Sequence, residues 1–249
     1  MKKLLYFCLL FVWMIPSIVF SKDLELSSKE YLLYDLDKNM VLYEKDSDKI
    51  VSIASLTKIM TTIVAIENID DFNETVYITY DMLKDVPWDS SVAGLSIGDE
   101  VTYLDLLYAS ILPSGADATN SLAISLTGSI DNFVDMMNER AAQIGCTNTH
   151  FVNASGLPDP DHYSTAHDMA LIMREGLKNK KFRRIIGTTD YTIKPTNMNS
   201  EPRVLHTHHP MLAPESSYHY DGCIGGKTGY TSEAGNTLVT AAGKNGTTY

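Results

Sequence analysis

Residues 221–243 read DGCIGGKTGYTSEAGNTLVTAAG, and this stretch is the strongest indicator of fold class in the 249-residue chain. Its short β-forming runs are separated by glycine, and a Lys-Asn-Gly turn follows at residues 244–246. Runs of this kind are typical of antiparallel strands joined by tight turns. We therefore predict an antiparallel meander from residue 191 to the end of the given sequence.

A second pair of strands is predicted near the other end of the chain, and helices are predicted between the two strand regions. Residues 31–34 and 40–43 are rich in β-forming side chains and flank a polar turn, which is typical of a hairpin. Apolar residues recur at three- and four-residue steps over residues 56–69, which predicts a largely buried helix. Further helical patterns cover residues 103–112, 117–126, 131–144 and 164–177, with Gly145 ending the third of these and Ser164 or Thr165 capping the fourth.

The order of these elements predicts an α+β fold. We expect an antiparallel sheet built from the N- and C-terminal segments, flanked by helices, with an inserted all-helical lobe. The sheet lobe would span about residues 26–69 and 190–249, and the helical lobe about residues 70–189. Together they would form one domain of residues 22–249, and a cleft between two such lobes is a favoured ligand site.

The first residues predict export. Met1-Lys2-Lys3 is basic, and residues 4–20 are apolar without a charge. Val19 and Ser21 stand at the positions that a signal peptidase reads, so residues 1–21 are predicted to be a signal peptide cut before Lys22. A retained membrane anchor is the alternative, but the apolar run is shorter than the ~20 residues of a spanning helix.

The net charge argues against two classes of partner, and the cysteine spacing argues against a disulfide bridge. The formal net charge of −11 argues against nucleic acid and against simple electrostatic docking on anionic lipid. Cys146 and Cys223 are the cysteines that follow the predicted signal peptide, and they show no disulfide-framework spacing. We expect them to be small buried side chains rather than a disulfide bridge.

Ser55 and Lys58 form a Ser-x-x-Lys pair near the start of the predicted helix at residues 56–69. Side chains three positions apart on a helix share a face, so the lysine could take the serine proton during nucleophilic attack. This role requires the lysine pKa to fall by about three units, at a cost near 4 kcal/mol. Burial and a second nearby cation would both lower it. The alternative is a helix cap beside a solvated lysine, and the motif taken alone favours that alternative.

Two further features contain side chains suited to substrate binding or catalysis. Lys227-Thr228-Gly229 lies in GGKTGYT, inside a predicted strand, so the spacing of a phosphate-binding P-loop is absent. A cation and a hydroxyl on an edge strand suit a substrate carboxylate, with an exposed lysine on a glycine-rich strand as the alternative. Ser114 lies in LPSGADA between two predicted helices, where it would either reach a cleft and relay a proton or cap the following helix.

Together these three features resemble the motif set of penicillin-binding proteins and β-lactamases. The resemblance extends to four longer runs: YEKDSDKIVSIASLTKIMT at residues 43–61, THFVNASGL at 149–157, HYSTAHDMALI at 162–172 and DGCIGGKTGYTSEAGNTLVTAA at 221–242. These runs look like the serine-type D-alanyl-D-alanine carboxypeptidases, the low-molecular-mass penicillin-binding proteins. The similarity covers the chain from about residue 26 to its end.

The resemblance implies a β-lactamase/transpeptidase-like fold and an acyl-serine mechanism. Ser55 would attack the carbonyl of a terminal D-Ala-D-Ala bond, and Lys58 would take its proton. Ser114 would help to pass a proton to the departing D-alanine. Water would then release the acyl-enzyme, and neither a metal nor an organic cofactor would be needed.

The resemblance also implies how the substrate is held. Lys227 and Thr228 would bind the terminal carboxylate, with Gly229 beside them on the same strand. The backbone N–H groups of Ser55 and Tyr230 would form the oxyanion hole, each contributing on the order of 3 kcal/mol to transition-state stabilisation. The implied ligands are peptidoglycan stem peptides ending in D-Ala-D-Ala and β-lactam antibiotics, and the implied location is the cell wall or the outer face of the cytoplasmic membrane.

The chain departs from the family pattern in two places. The family usually has Ser-Gly-Asn where this chain has Ser114-Gly115-Ala116. Loss of the asparagine's charge-assisted hydrogen bond costs about 1.5–3 kcal/mol, so we expect slower acylation, and Asn120 is a weaker candidate for the same role. Relatives also continue through a further strand, a backing helix and commonly a membrane-binding tail, so this sequence is expected to lack a C-terminal part and any membrane association that it provides.

Three alternative functions are weighed against a carboxypeptidase. A non-catalytic fragment or a protein that only binds penicillin or D-Ala-D-Ala would account for the departures. A β-lactamase needs a glutamate positioned for rapid deacylation, and we identify no Glu-x-x-x-Asn helix signal between Ser114 and Lys227, which makes this alternative unfavourable. A zinc peptidase would use His206, His208 and His209, but the His-Glu-x-x-His spacing is absent and a polar loop is preferred.

Overall fold

A computed structural model describes residues 26–249 of the chain. The predicted signal peptide at residues 1–21 and its cleavage site lie outside the described residues, so they remain predictions. The described strands are β1 (Tyr31–Asp35), β2 (Met40–Lys45), β3 (Thr75–Tyr77), β4 (Glu100–Thr102), β5 (Asp190–Ile193), β6 (Arg203–His206), β7 (Cys223–Thr231), β8 (Gly235–Lys244) and β9 (Thr247–Thr248). The described α-helices are α1 (Thr57–Asn68), α2 (Tyr80–Leu83), α3 (Tyr103–Ile111), α4 (Ala116–Thr127), α5 (Ile130–Ile144), α6 (Ala166–Gly176) and α7 (Lys180–Ile186).

Helix α1 is the centre of the hydrophobic core. Its residues from Thr57 to Ile66 are all buried, and it packs against α3, α4, α5, α6 and α7. A 3-10 turn, Ala54–Leu56, leads directly into it. The Ser-x-x-Lys pair at the start of this helix is therefore set into the protein interior, and the burial of a lysine there needs a functional explanation.

The predicted helix ends and caps are confirmed where the signals were explicit. Thr165 caps α6, since its hydroxyl accepts a hydrogen bond from the Asp168 N–H at 3.0 Å. Gly145 ends α5 in the left-handed region with φ of +97°, a conformation that costs glycine little. Within residues 26–249 no helix is long and apolar enough to cross a membrane.

The strands from the two ends of the described chain lie beside each other, as predicted, but pair as separate sheets. β1 and β2 form an antiparallel hairpin, and β7, β8 and β9 form an antiparallel sheet in that order. The Leu36 N–H donates to the Thr248 carbonyl at 2.9 Å and joins the hairpin to β9. Helix α6 packs against both β1 and β8, so it covers the two sheets together.

The structure contains short elements that the sequence patterns did not reveal. β3 pairs with β4 inside the region predicted to be all-helical, so that detail of the prediction is wrong. Each of these strands is only three residues long, too short for an alternating pattern to be recognised. Helix α7 and the pair of β5 with β6 were also not predicted in full.

The two cysteines among residues 26–249 are both free, as predicted, but Cys223 is only partly buried, so the prediction of burial is wrong for Cys223. Cys146 is buried in the hydrophobic core, where its Sγ lies 3.7 Å from the Asp168 carbonyl oxygen. Burial raises the pKa of the Cys146 thiol to about 12, so it behaves as a small apolar side chain, as predicted.

Candidate active site

Ser55 and Lys58 are in hydrogen-bonding contact. The Lys58 Nζ lies 3.1 Å from the Ser55 Oγ and donates to the Ser155 carbonyl at 2.5 Å. Lys58 is only 2% exposed, and the residue that caps α1 is Leu56, whose side chain makes no cap bond. The alternative of a serine cap beside a solvated lysine is therefore wrong.

Two causes lower the pKa of Lys58 well below that of an ordinary lysine. The larger is burial, which disfavours the charged ammonium, and the second is repulsion from Lys227. Asp117 acts in the opposite direction and raises the pKa of Lys58. A neutral amine next to a serine hydroxyl has the lone pair that a general base needs.

Lys227 is the second buried lysine of this region, since it is 2% exposed. Burial lowers its pKa to about 7, and its Nζ donates to the Thr228 carbonyl at 2.8 Å. The alternative of an exposed lysine on β7 is therefore wrong. A buried ammonium without an ion pair among the described residues is well placed to attract an anionic group from solution.

Ser114 lies in the break between α3 and α4. Its backbone has a φ of +63°, and Gly115, not Ser114, is the N-cap of α4. Among residues 26–249 the buried Ser114 Oγ finds no hydrogen-bond partner. A buried hydroxyl without a partner is rare in native structures and suggests a bond that forms only with a ligand. The N-cap alternative is therefore wrong.

All seven residues singled out from the sequence line one cavity of about 690 Å³. They are Ser55, Lys58, Ser114, Lys227, Thr228, Gly229 and Tyr230. Tyr230 is 66% exposed and stands at the rim. Ala116 also lines this cavity, whereas Asn120 on the same helix does not, so the amide of Asn120 is not positioned to replace the missing asparagine.

Two glycines allow neighbouring backbone segments to approach the nucleophile closely. A Cβ added to Gly156 would lie 2.0 Å from the Ala54 carbonyl oxygen, and one added to Gly229 would lie 2.9 Å from the Ser55 nitrogen. The peptide group between Ala54 and Ser55 is thus held between two glycine backbones. Such close approach is the usual reason for glycine on a strand or in a tight loop.

The loop that contains Gly156 was not assigned to the site from the sequence. Asn153 holds this loop, since its side-chain oxygen accepts hydrogen bonds from the N–H groups of Ser155, Gly156 and Leu157 at 3.1, 2.7 and 3.1 Å. The Ser155 carbonyl accepts a hydrogen bond from Lys58. Ala116 has no polar side-chain atom and cannot form a hydrogen bond with Lys58. The signal in the sequence was the Asn-x-Ser-Gly run, which is typical of an Asx turn.

The histidines face different partners. His206 Nδ1 lies 2.5 Å from the Asp190 carboxylate, and His209 Nε2 lies 2.9 Å from the Thr240 hydroxyl. His208 lines the cavity, which the sequence did not indicate. Within residues 26–249 no group of three histidine, cysteine, aspartate or glutamate side chains is placed to hold a metal ion.

A Glu-x-x-x-Asn spacing is present between Ser114 and Lys227, so the prediction that it is absent is wrong. Residues 175–179, EGLKN, do have a Glu-x-x-x-Asn spacing that the sequence prediction overlooked. Glu175 is paired with Arg140 at 2.9 Å and with Lys178 at 2.5 Å, and it does not line the cavity. This glutamate is therefore not positioned to activate a water molecule at Ser55.

Comparison with known proteins identifies relatives of the chain. The family model described as D-alanyl-D-alanine carboxypeptidase matches residues 18–248. The chain is 32% identical over 228 residues to the D-alanyl-D-alanine carboxypeptidase DacF of Bacillus subtilis, which covers 90% of this chain and 56% of that protein. It is 36% identical over 218 residues to the D-alanyl-D-alanine carboxypeptidase of Streptomyces strain K15, which covers 83% of this chain and 73% of that protein.

Solved structures give the same result at the level of the fold. A mutant of the Streptomyces K15 DD-transpeptidase superposes with a TM-score of 0.84 at 32% identity, covering 91% of this chain and 89% of that one. The D-alanyl-D-alanine carboxypeptidase of Mycobacterium tuberculosis superposes with a TM-score of 0.79 at 32% identity, covering 89% of this chain and 80% of that one. The α+β fold class is thereby confirmed.

Proposed function

Because the chain belongs to the D-alanyl-D-alanine carboxypeptidase family, we propose that it is a serine-type carboxypeptidase that removes the terminal D-alanine from peptidoglycan stem peptides. The observation that carries this proposal is the contact between a buried lysine with a lowered pKa and the Ser55 hydroxyl at 3.1 Å. That contact supplies both a nucleophile and its base inside an open cavity.

The substrate would be oriented by its C-terminal carboxylate. Lys227 and Thr228 lie on β7 at the cavity wall, and charge-assisted hydrogen bonds from an ammonium and a hydroxyl are strong ligands for a carboxylate. The extended peptide would then follow β7 and bring the carbonyl of the penultimate D-alanine to Ser55. Burial of Lys227 makes the arriving carboxylate its partner, which favours binding of anionic C-termini.

Acylation would proceed with the lysine as general base. Lys58 takes the proton from the Ser55 hydroxyl while the oxygen forms a bond to the substrate carbonyl carbon. The negative charge on the carbonyl oxygen is stabilised by the N–H groups of Ser55 and Tyr230. The C–N bond then breaks, and the nitrogen of the leaving D-alanine receives a proton by way of Ser114, whose Oγ is otherwise without a partner among the described residues.

Deacylation would reverse the proton transfers. A water molecule attacks the ester carbonyl, its proton passes to Lys58, and the Ser55 oxygen leaves and regains a proton. β-Lactams mimic the terminal dipeptide and would acylate Ser55, but their ring-opened product would not leave the site. We place the enzyme outside the cytoplasmic membrane, with a signal peptide at residues 1–21. Peptidoglycan is its partner and no cofactor is required.

Labelling with a fluorescent penicillin tests the proposal directly. We expect the wild-type chain to form a covalent adduct and Ser55→Ala to form none, while Ser200→Ala, which changes an exposed serine outside the cavity, labels as wild type. Release of D-alanine from a pentapeptide should follow the same pattern. Rapid turnover of the penicillin would indicate a β-lactamase instead. Binding of D-Ala-D-Ala peptides without release of D-alanine would indicate a protein that only binds them.

A further inference from the structure

A chain of hydrogen bonds runs from a buried histidine to the peptide group that precedes the nucleophile. The His162 Nε2 lies 2.6 Å from the Thr57 hydroxyl, and that hydroxyl donates to the Ala54 carbonyl at 2.8 Å. His162 and Thr57 are almost completely buried, and neither lines the cavity. The mechanism proposed above makes no use of either residue.

The contacts of the His162 imidazole ring determine which group donates and which accepts in each of these hydrogen bonds. The Val152 backbone N–H donates to His162 Nδ1 at 3.1 Å, so this nitrogen carries no proton. The proton of a neutral ring must then be on Nε2, which donates to Thr57. Burial lowers the pKa of His162 to about 4, which keeps the ring neutral, and edge-on packing against Phe151 fixes its plane. Thr57 in turn has its own hydroxyl proton free for the Ala54 carbonyl.

The Ala54 carbonyl and the Ser55 N–H belong to one planar trans peptide group and point in opposite directions. The Thr57 hydroxyl and the Thr57 backbone N–H both donate to the Ala54 carbonyl, so the Ser55 N–H points away from Thr57. The Ser55 nitrogen lies between Gly156 and Gly229, each of which would place an added Cβ 2.9 Å from it, and both glycines line the cavity. Orientation of the carbonyl therefore also sets the orientation of this N–H at the cavity wall.

We propose that Thr57 and His162 are positioning residues for the oxyanion hole, which hold and polarise the Ala54–Ser55 peptide group so that the Ser55 N–H is aimed at the substrate carbonyl oxygen. The inference rests on the proposed acyl-serine mechanism. Consecutive hydrogen bonds polarise one another, so the donors His162 and Thr57 make the Ser55 N–H a stronger donor. Ala54 has a φ of +49°, a conformation that a non-glycine residue keeps only when its surroundings hold it there.

Paired variants separate the proposed role from simple packing. Thr57→Val keeps the shape of the side chain and removes the hydroxyl, whereas Thr57→Ser keeps the hydroxyl. His162→Asn offers an acceptor near Nδ1 and removes the donor to Thr57, whereas His162→Gln can place a donor near Nε2. The measurements are the dissociation constant of the non-covalent penicillin complex, the rate constant of acylation and the melting temperature of each variant.

We expect Thr57→Val and His162→Asn to lower the acylation rate constant about 10-fold, with little change in the dissociation constant, because an oxyanion donor acts on the transition state. Thr57→Ser and His162→Gln should recover most of the rate. If folded Thr57→Val has an acylation rate constant within twofold of the wild-type value, the inference is overturned. Weakened binding at an unchanged rate constant would also overturn it, and so would equal losses in both members of each pair. Absence of labelling in the wild type would instead refute the proposed function itself.

Discussion

Two lysines line one cavity in this protein, and both have a lowered pKa. Burial and the charge of Lys227 lower the pKa of Lys58, and burial lowers the pKa of Lys227. The roles proposed for them require opposite protonation states, because a base must be neutral and a carboxylate ligand must be charged. Their repulsion favours a state in which only one of the two carries a charge.

This arrangement predicts a bell-shaped dependence of kcat/KM on pH for a D-Ala-D-Ala peptide. The rate should fall as pH decreases through the lowered pKa of Lys58, since the protonated amine is no base. It should also fall as pH rises above about 7, where Lys227 loses the charge that binds the carboxylate. His209 beside β7 has a pKa lowered to about 4 by burial, so it stays neutral on the alkaline limb.

Lys227→Arg checks the assignment of the alkaline limb. A guanidinium does not deprotonate in the accessible range, so the fall above neutral pH should disappear even if the overall rate is lower. Retention of the same alkaline midpoint in this variant would assign that limb to another group.

Removal of a buried lysine should stabilise the fold while it abolishes function. Lowering the pKa of Lys227 from 10.5 to about 7 corresponds to about 5 kcal/mol of unfavourable burial relative to the unfolded chain. Lys227→Met should therefore raise the melting temperature at pH 7 by several degrees. Calorimetry of wild type and variant measures the difference, and Lys244→Met, at an exposed position, serves as the control.

The pH dependence of stability gives a second measurement on the same variant. Above pH 7 the unfolded Lys227 binds more protons than the folded one, so wild-type stability should increase with pH between about 7 and 10. This slope should be smaller in Lys227→Met. Equal slopes in the two proteins would contradict the lowered pKa.

At the scale of elements, the loop at residues 153–157 determines the shape of the site. It touches the 3-10 turn through Gly156, whose φ is +86°, and it binds Lys58 through the Ser155 carbonyl. Asp117, whose charge raises the pKa of Lys58, holds a second loop, because its carboxylate accepts the Ala93 and Leu95 N–H groups at 2.9 and 3.0 Å. Each of these two loops is thus held by a single acidic or amide side chain.

Gly156→Ala should strongly slow penicillin labelling. The added Cβ would lie 2.0 Å from the Ala54 carbonyl oxygen, and alanine is also strained at positive φ. We expect a shift of the 3-10 turn and at least a 100-fold loss of the acylation rate, measured by stopped-flow labelling. Gly128→Ala, which also has positive φ but has no atom within 4 Å of the added Cβ, separates strain from contact. Equal rates in the two variants would contradict the role of the close approach.

The sequence predicted the long elements and the motif residues, but not the contacts between distant segments. Helices α1, α3, α4, α5 and α6 carry periodic apolar patterns over nine or more residues, so their cores were predictable. Gly156 and His162 act through contacts with Ala54 and Thr57, about a hundred residues away in sequence. Such contacts depend on tertiary packing, which a local pattern does not encode. His208 lies in a loop whose composition alone gave no reason to place it at the cavity.

At the scale of the whole molecule, a buried ion pair joins the helical middle of the chain to the strands that follow it. Arg203 on β6 contacts the Asp99 carboxylate at 2.6 Å and donates to the Gly94 carbonyl at 2.7 Å. Asp99 is 1% exposed, and Thr196 also donates to it. The pair connects residues that are 104 positions apart, so its loss affects the assembly of distant segments.

Arg203→Met should destabilise the protein by about 3–5 kcal/mol, because it leaves the Asp99 carboxylate buried without its cation. Urea unfolding followed by circular dichroism measures the change, and Arg183→Met on the exposed face of α7 serves as the control. The double variant Asp99→Asn/Arg203→Met should recover part of the loss. A change below 1 kcal/mol for the single variant would show that the pair is effectively solvated.

Ala116 contributes only a methyl group to the lining of the cavity. Backbone at Gly156 and Gly229 fixes the width on either side of the nucleophile, while position 116 carries a shorter side chain than the asparagine usual in the resembled family. Because alanine is shorter than asparagine, we expect β-lactams with bulky or branched groups to find more room at position 116 in this protein than in relatives that carry the asparagine. The susceptibility of this protein to a β-lactam would then depend more on the shape of the drug than on its hydrogen-bonding groups. An inhibitor shaped to occupy the space at position 116 would discriminate this protein from relatives that carry the asparagine.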